Sequence, residues 1–311
     1  MDSPRSVSVV IPTIREQFVS RAVSAALSQE GVVTEVIVVA DGPEVAGLEQ
    51  KLEQSDRVRV LYHPNRRGVS RARNEGARLA SHDWIALLDY DDIWAPNKLK
   101  RQLAALDEQG GDFAYCSAAV LDGDLGLVRY EDAPPYPELL DALTANNLLP
   151  ATASNLLVSK PLYEEVGGCD LQLKHFADWD LGLKVARAGR GAVCPEPLVG
   201  YVHHDEGMHV QMLDDVGSEW QLFRRNWAAA GLDLGSVDQI RWAADGHRRR
   251  GQPVAAARVY LRAARRFGHV SDLGRALGAL LGERARLFAR SLQSRRAAPP
   301  GPPPDWVALY S

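Results

Sequence analysis

The chain has 311 residues, of which 46% are hydrophobic and 24% charged, as is ordinary for a soluble globular protein of one large domain or two. The formal net charge of −4 gives no reason to expect nucleic acid as a partner. No apolar run approaches the ~18 residues of a membrane-spanning helix. The cysteines Cys116, Cys169 and Cys194 are too far apart for a CxxC zinc site or a disulfide framework. These features predict a cytoplasmic protein.

The charge is unevenly distributed along the chain. Residues 241–311 contain 14 Arg and no Lys against four acidic residues, a net charge of +10, so residues 1–240 carry −14. A basic, partly apolar segment indicates contact with an anionic surface, a membrane or another subunit. A solvated arginine-rich face explains the same pattern equally well.

Short apolar runs alternate with helical patterns in the first half of the chain. Strands are predicted at Ser6–Ile11, Glu35–Ala40, Val58–Tyr62, Trp84–Leu88 and Phe113–Ser117. Helices are predicted at Val19–Leu27, Val45–Gln54, Val69–Ala80 and Pro96–Gln109. This alternation predicts an α/β fold with a mostly parallel sheet and helices on both faces.

The second half is predicted to begin with a hairpin over Ala118–Tyr130, followed by a loop at Ala133–Pro137. A short helix is predicted to start at Ser159 and a second to span Asp178–Ala188. Strands follow around Gly191–Val193 and Leu198–Val202, and the chain is predicted to be helical from Ser218. The segment Ala297–Pro304 contains five prolines, which exclude a helix and favour an extended or disordered tail.

An acidic turn follows the fourth predicted strand. Asp89, Asp91 and Asp92 lie within four positions, where parallel α/β sheets bind their ligands. Three carboxylates this close repel one another unless a cation joins them. Mg²⁺ and Mn²⁺ prefer such oxygen ligands and in turn hold substrate phosphates. The cluster thus predicts a metal–diphosphate site, although an acidic turn before a helix is the simpler explanation of these residues alone.

Two phosphate-binding motifs are absent from the sequence. There is no GxGxxG after the first strand and no GxxxxGK[ST] anywhere, so Rossmann dinucleotide binding and P-loop chemistry lack their glycines. A nucleotide would therefore have to be held in another way, and a metal bound by Asp91 and Asp92 would suffice.

Two further polar clusters occur in the second half. Asp178-Trp179-Asp180 places two carboxylates at a helix N-terminus, where acids often only complement the helix dipole. His203, His204 and His209 lie within seven residues. Such a surface cluster is solvated more often than it binds metal or phosphate.

Five motifs, in order and at matching spacing, together resemble the inverting glycosyltransferases of family 2, which have the GT-A fold. Residues 9–15 (VVIPTIR) resemble the opening strand and turn of that family, and residues 38–43 (VVADGP) its VVDDGS motif. Residues 65–76 (NRRGVSRARNEG) resemble NxGxxxARNxG, and residues 88–92 (LDYDD) resemble LDxDD. Residues 167–170 (GGCD) and 177–181 (ADWDL) resemble GGFD and EDWDL. The resemblance runs from about Val7 to His204.

The resemblance implies a role for each matching position. Thr13 and Asp41 would contact the nucleotide base, and Arg73 with Asn74 would line its pocket. The predicted nucleotide-binding set is Pro12, Thr13, Arg15, Asp41, Arg73, Asn74 and Asp91. The predicted ligands of Mn²⁺ or Mg²⁺ are Asp89, Asp91, Asp92 and His204. Asp178 would be the general base that takes the proton of the acceptor hydroxyl.

Two departures from the family pattern affect these roles. The acid that usually precedes the base position is replaced by Ala177, so that Asp180 could replace Asp178 as the base. Ala40 and Pro43 stand where the family has Asp and Ser, which allows a different recognition of the base. The resemblance therefore implies transfer of a sugar from a nucleotide-diphosphate sugar, most simply a UDP-sugar, to a hydroxyl acceptor. A catalytically degenerate binding module and a sugar nucleotidyltransferase are the alternatives.

The expected organisation is a GT-A catalytic domain over residues 1–217, a helical basic region over residues 218–296 and a Pro-rich tail over residues 297–311. The catalytic domain would divide into a nucleotide-binding half, residues 1–117, and an acceptor half, residues 118–217. In the basic region an apolar stripe is formed by Leu277, Leu281, Ala285, Phe288 and Leu292. Arginines flank the stripe, a pattern typical of helices that lie on a membrane. Self-association, or packing on its own domain, would use the same stripe.

Overall fold

The computed structural model describes residues 5–52, 55–145, 149–203, 216–232, 251–281 and 301–310, with the single positions 234, 241, 244, 247 and 248. Its contacts divide the chain into two compact units. The first comprises residues 1–143, 147–204 and 302–311, and the second residues 144–146 and 205–301. The chain therefore returns to the first unit after completing the second.

The described part of the first unit contains one nine-stranded sheet. Its strands are β1 Ser6–Thr13, β2 Val33–Asp41, β3 Val58–His63, β4 Trp84–Leu87, β5 Ile93–Trp94, β6 Phe113–Leu121, β7 Leu127–Glu131, β8 Leu157–Ser159 and β9 Gly191–Val202. The order is β3-β2-β1-β4-β8-β6-β9-β5, with β7 paired to β6. The first four strands in this order are parallel, and β6 and β9 are parallel to each other. The predicted mixed, mostly parallel sheet is confirmed.

Helices cover this sheet. They are α1 Val19–Leu27, α2 Val69–Leu79, α3 Lys98–Gln109, α4 Tyr136–Ala145, α5 Lys160–Glu165 and α6 Ala177–Ala188. All nine residues of β6 are buried, as expected of a strand that is covered on both faces. Helix α2 packs closely on β1 because Gly76 has no side chain: a Cβ there would lie 2.4 Å from Val10 Cγ1.

Three local predictions are wrong. The expected helix over Val45–Gln54 is replaced by 3₁₀ turns at Pro43–Val45 and Leu48–Gln50, because Gly47 between them has φ 78°, which no α-helix accommodates. The expected loop at Ala133–Pro137 already contains the start of α4. The two strands expected between residues 191 and 202 form one strand, β9. Its pairing with β6 shifts near Pro195 and Pro197, which cannot donate to a sheet.

Two expected boundaries differ from the structure. The division between residues 117 and 118 falls inside β6, so the two expected halves share one strand. The last described residues, 301–310, were expected to belong to a Pro-rich tail. Instead Asp305–Tyr310 forms 3₁₀ turns within the first unit, because Val307 is buried among apolar residues of the sheet.

The second unit contains α7 Val216–Ala229, α8 Pro253–Phe267 and α9 Ser271–Leu281 among its described residues. Helices α8 and α9 pack through small side chains and one tyrosine, namely Ala256, Ala257, Tyr260, Ala276 and Ala279. Of the expected apolar stripe, Leu277 is 58% and Leu281 63% exposed; its other members lie outside the described residues. Among the helices described, none is both long and apolar enough to cross a membrane.

Candidate active site

The acidic turn lies directly after β4, at the centre of the sheet. Asp89 and Asp91 are partly exposed, whereas Asp92 is 1% exposed. Arg73 on α2 reaches the turn, and its Nη2 lies 2.6 Å from Asp89 Oδ1. Burial raises the pKa of Asp89; Arg73 opposes this shift, while Asp91 and Asp178 add to it. The turn therefore holds more negative charge than Arg73 alone neutralises.

Asp92 is fixed by hydrogen bonds to the protein. The Ser154 hydroxyl donates to Asp92 Oδ2 at 2.5 Å, and the Val202 N–H donates to Oδ1 at 3.0 Å. Ser154 Oγ also accepts the Asp89 N–H at 3.0 Å. Burial raises the pKa of Asp92 well above its ordinary value, and Asp91 and Asp89 raise it further. Asp92 was expected to be a metal ligand, but both of its oxygens are engaged in holding the turn.

Two side chains that sequence analysis did not identify adjoin the turn. The Arg21 Nη2 donates to the Asp91 carbonyl oxygen at 3.3 Å. Burial raises the pKa of the Tyr201 phenol, and the charges of Asp92, Asp178, Asp89 and Asp91 raise it further. Tyr201 is the penultimate residue of β9. Neither residue belongs to a motif, and only the pairing of distant strands and helices brings them to the acids.

Asp178 and Asp180 occupy the first turn of α6 but have different surroundings. Asp178 is partly exposed, and its Oδ1 accepts the Trp179 N–H at 2.8 Å. Asp180 is 4% exposed, and its Oδ2 lies 2.6 Å from Lys184 Nζ. The Asp178 charge raises the pKa of Asp89 and of Tyr201, so Asp178 lies within electrostatic range of the acidic turn. Asp180 is instead held in an ion pair with Lys184.

Asn74 was expected to line the nucleotide pocket, but its side chain holds the Gly167-Gly168-Cys169 turn. Its Nδ2 donates to the Cys169 carbonyl at 2.8 Å, and its Oδ1 accepts the Cys169 N–H at 2.9 Å and the Tyr163 hydroxyl at 2.8 Å. These bonds connect α2, which carries Arg73, to the segment that leads into α6. Asn74 therefore joins two of the sequence motifs.

Asp41 lies at the C-terminal end of β2 and is 1% exposed. Its carboxylate accepts the Gly68 N–H at 2.8 Å and the Arg67 N–H at 2.8 and 3.0 Å. His63 was not among the residues predicted from the sequence. Its Nδ1 lies 3.1 Å from Asp41 Oδ1 and its Nε2 lies 2.6 Å from Glu75 Oε2. A base contact by Asp41 would have to share oxygens that already hold the loop before α2.

The remaining predicted residues lie at the end of β1 or outside the described residues. Thr13 is 2% exposed, and its hydroxyl bonds to the Arg15 backbone, which closes the turn after Pro12. His204 lies outside the described residues. Within the described part of the chain, no three His, Cys, Asp or Glu side chains converge as a preformed metal site.

The family model for glycosyl transferase family 2 matches residues 8–167, more than half of the chain. The chain belongs to glycosyl transferase family 2. The resemblance inferred from the five motifs is thereby confirmed, and the nucleotidyltransferase alternative is not supported.

Two bacterial relatives of this family 2 chain show how far the similarity extends. The succinoglycan biosynthesis protein ExoO of Rhizobium meliloti (strain 1021) is 32% identical over 228 residues, which cover 68% of this chain and 66% of that protein. The Escherichia coli protein WfgD, a UDP-Glc:alpha-D-GlcNAc-diphosphoundecaprenol beta-1,3-glucosyltransferase, is 31% identical over 120 residues, or 38% of this chain and 47% of that protein. The matches thus span about two thirds of ExoO and half of WfgD.

The crystal structure of S. aureus TarS 1-349 in complex with UDP-GlcNAc superposes on the family 2 chain with a TM-score of 0.56 at 18% identity. The superposition covers 78% of this chain and 72% of that one. Likeness at this level of identity concerns the fold, and it confirms the predicted GT-A fold.

Proposed function

We propose that the protein is a metal-dependent, inverting glycosyltransferase that moves a sugar from a nucleotide-diphosphate sugar to an acceptor hydroxyl. One observation carries this proposal: the partly exposed Asp178 of α6 lies within electrostatic range of a separate acidic turn, which carries the partly exposed Asp89 and Asp91. Such an arrangement serves the two demands of glycosyl transfer, namely stabilising a leaving diphosphate and deprotonating a nucleophile. A UDP-sugar donor is proposed because WfgD is named for UDP-Glc and the TarS structure contains UDP-GlcNAc.

Asp89 and Asp91 would hold Mn²⁺ or Mg²⁺. The residues present fit such an ion, because both are oxygen donors, both are partly exposed and their turn carries excess negative charge. When bound, a divalent cation supplies positive charge that stabilises the leaving diphosphate. Asp92 would keep the turn in place through its bonds to Ser154 and Val202. His204 is proposed as a further ligand of the metal.

Asp178 would act as the general base. As the acceptor oxygen bonds to the anomeric carbon, its proton passes to the Asp178 carboxylate. The bond from the anomeric carbon to the diphosphate oxygen breaks, and its electron pair leaves with the nucleoside diphosphate. A single displacement inverts the anomeric centre. Asp180 is the less suitable base because it is buried against Lys184.

The nucleotide would lie along the C-terminal ends of β1 and β2. In this proposal Pro12, Thr13 and Arg15 border the base, and Asp41 accepts a base N–H. Arg73 is buried and paired with Asp89. It would orient the Asp89 carboxylate toward the ribose and diphosphate. Asn74 would contribute indirectly, by holding the turn before α6.

A transfer assay with Mn²⁺ and a panel of nucleotide sugars tests this function. Asp178→Asn is expected to lower the rate of donor hydrolysis or transfer ~10²- to 10⁴-fold, while metal-dependent UDP binding is retained. Asp91→Asn is expected to weaken that binding itself. Asp180→Asn is the matched control. It is expected to lower the free energy of unfolding while changing the rate of transfer little.

Full activity of both Asp178→Asn and Asp91→Asn would contradict the assignment of these residues. Nucleotide binding without turnover, with any sugar, would favour the degenerate binding module.

We also propose that the second unit contacts a membrane surface peripherally. Helix α9 and the turn before it expose four leucines and a valine, namely Val270, Leu273, Leu277, Leu280 and Leu281. Arg258, Arg262, Arg265 and Arg275 are exposed on α8 and α9. The acid Asp272 is fully buried beside Arg241 and Arg275. An apolar surface flanked by arginine fits anionic lipid. The alternative is that a second copy of the chain covers the same surface.

A further inference from the structure

A segment that follows the second unit in the sequence packs on β5 and β9. Residues Pro302–Tyr310, here named the return segment, belong to the first unit although the second unit separates them from β9 in sequence. Asp305–Tyr310 forms 3₁₀ turns. The motifs of the family give this segment no role.

The return segment is anchored by one buried valine and two aromatic residues. Val307 is 1% exposed and belongs to a cluster that includes Ile93 of β5 and Val202 of β9. The Trp306 Nε1 donates to the Pro197 carbonyl at 3.1 Å, and the Tyr310 hydroxyl donates to the Trp94 carbonyl at 2.7 Å. The segment thus connects β5 to β9, and β5 is an edge strand of the sheet.

These contacts involve one residue that holds the acidic turn and two that follow it in sequence. Ile93 follows Asp92 directly, and the Val202 N–H is one of the two donors to the Asp92 carboxylate. Strand β5 has only two residues, so its pairing with β9 provides few hydrogen bonds to hold it. Tyr310 is also close enough to Arg21, the donor to the Asp91 carbonyl, to raise the Arg21 pKa against the lowering caused by burial. Val307 and Tyr310 therefore pack on residues that follow or hold the acidic turn, through the Ile93–Val202 cluster and the Trp94 carbonyl.

We infer that the return segment is a positioning clamp for the acidic turn, which keeps Asp89 and Asp91 in the arrangement that binds a metal–nucleotide complex. This inference rests on the proposed function. Val307 and Tyr310 are positioning residues, since they act through Ile93, Trp94 and Val202 and touch no reacting atom.

A purely structural explanation predicts that the same contacts contribute to global stability alone. Val307→Ala and Tyr310→Phe separate the two explanations, with Leu309→Ala as the matched control because Leu309 is 68% exposed in the same turn. Calorimetry with UDP and Mn²⁺, done well below each variant's melting temperature, measures binding by the folded protein. Hydrogen exchange of a peptide covering residues 88–94 reports the turn without any ligand.

Val307→Ala is expected to weaken UDP–Mn²⁺ binding about tenfold, equivalent to about 1.4 kcal/mol, and to speed exchange in residues 88–94 more than in β2. Tyr310→Phe, which keeps the ring and removes one hydrogen bond, is expected to show a smaller change in the same direction. Leu309→Ala should match the wild type.

Unchanged affinity and exchange in Val307→Ala, with only a lower melting temperature, would overturn the clamp and leave the proposed function intact. A wild-type protein that binds no UDP with Mn²⁺ would overturn the proposed function, and with it the clamp's role in donor binding.

Discussion

Lys98 is fully buried beside Trp94 at the start of α3. Its Nζ lies 4.0 Å from the centre of the Trp94 ring and donates to Gln102 Oε1 at 2.9 Å and to the Asn155 carbonyl at 3.4 Å. Burial lowers the pKa of Lys98 to about 8. Asn155 follows Ser154, the donor to Asp92, so Lys98 belongs to the polar interior behind the acidic turn.

The lowered pKa of Lys98 predicts how the free energy of unfolding depends on pH. Between about pH 8 and the ordinary lysine pKa of 10.5, the unfolded chain binds a proton that the folded protein has released. Stability from this residue therefore rises with pH through that window. Relative to Lys98→Met, the wild type should gain on the order of 1 kcal/mol between about pH 7 and about pH 9, measured by urea unfolding.

Lys100→Met, at an exposed position of the same helix, provides the control and should show no such gain. A constant difference between wild type and Lys98→Met across this range would mean that Lys98 keeps its ordinary pKa.

At the scale of single residues, the distinction between neighbouring acids could not be read from the sequence. Asp91 and Asp92 are adjacent, yet one is partly exposed and the other is buried between Ser154 and Val202. Both partners of Asp92 are more than 60 residues away in the chain. No local pattern indicates such partners.

At the scale of elements, the Gly167-Gly168 turn connects helix α2, through Asn74, to helix α6, through Lys184. Both glycines have positive φ, 73° and 61°. A Cβ on Gly168 would lie 2.4 Å from Asn74 Oδ1, whereas nothing lies within 4 Å of one on Gly167. The Gly168 carbonyl also accepts a hydrogen bond from Lys184 of α6 at 3.2 Å, so the turn contributes to the placement of the helix that carries Asp178.

Gly168→Ala should lower the free energy of unfolding by ~2–4 kcal/mol, because it adds a clash with the Asn74 amide to the backbone strain. Gly167→Ala, which adds only the strain, should cost ~1 kcal/mol. Urea unfolding of the two variants measures this difference. Equal losses would show that Asn74 moves aside without cost.

The longer elements were predictable and the shortest were not. Strands β1, β2 and β6 are apolar runs long enough to be recognised in the sequence. Strands β5 and β8 have two and three residues, too few for any periodic pattern. Both are antiparallel to the strands they join, and their positions depend on the sheet already being formed.

At the scale of the whole molecule, the basic, apolar surface of α8 and α9 predicts lipid binding by the second unit. Leu277→Ser should weaken flotation with liposomes that contain anionic lipid, because a 58% exposed leucine is lost from that surface. Binding should also weaken as salt is raised, since the arginine contribution is screened.

Leu171→Ser is the matched control, since Leu171 is 53% exposed but lies in the first unit. Unchanged flotation of Leu277→Ser together with a smaller oligomer in gel filtration would assign the surface to self-association instead.

The sequence by itself determined the order of the longer strands and helices, the family and the positions of the acids at strand and helix ends. Each of these depends on neighbouring residues, through apolar runs, glycines and carboxylates at fixed spacing. Only the tertiary structure decided which acids are exposed, what holds Asp92 and Asp180, and where the return segment lies. The hydrogen bond that holds Asp92 comes from Val202, and the burial of Val307 comes from Ile93 and Val202. No local pattern connects these residues, and only the folded sheet brings them together.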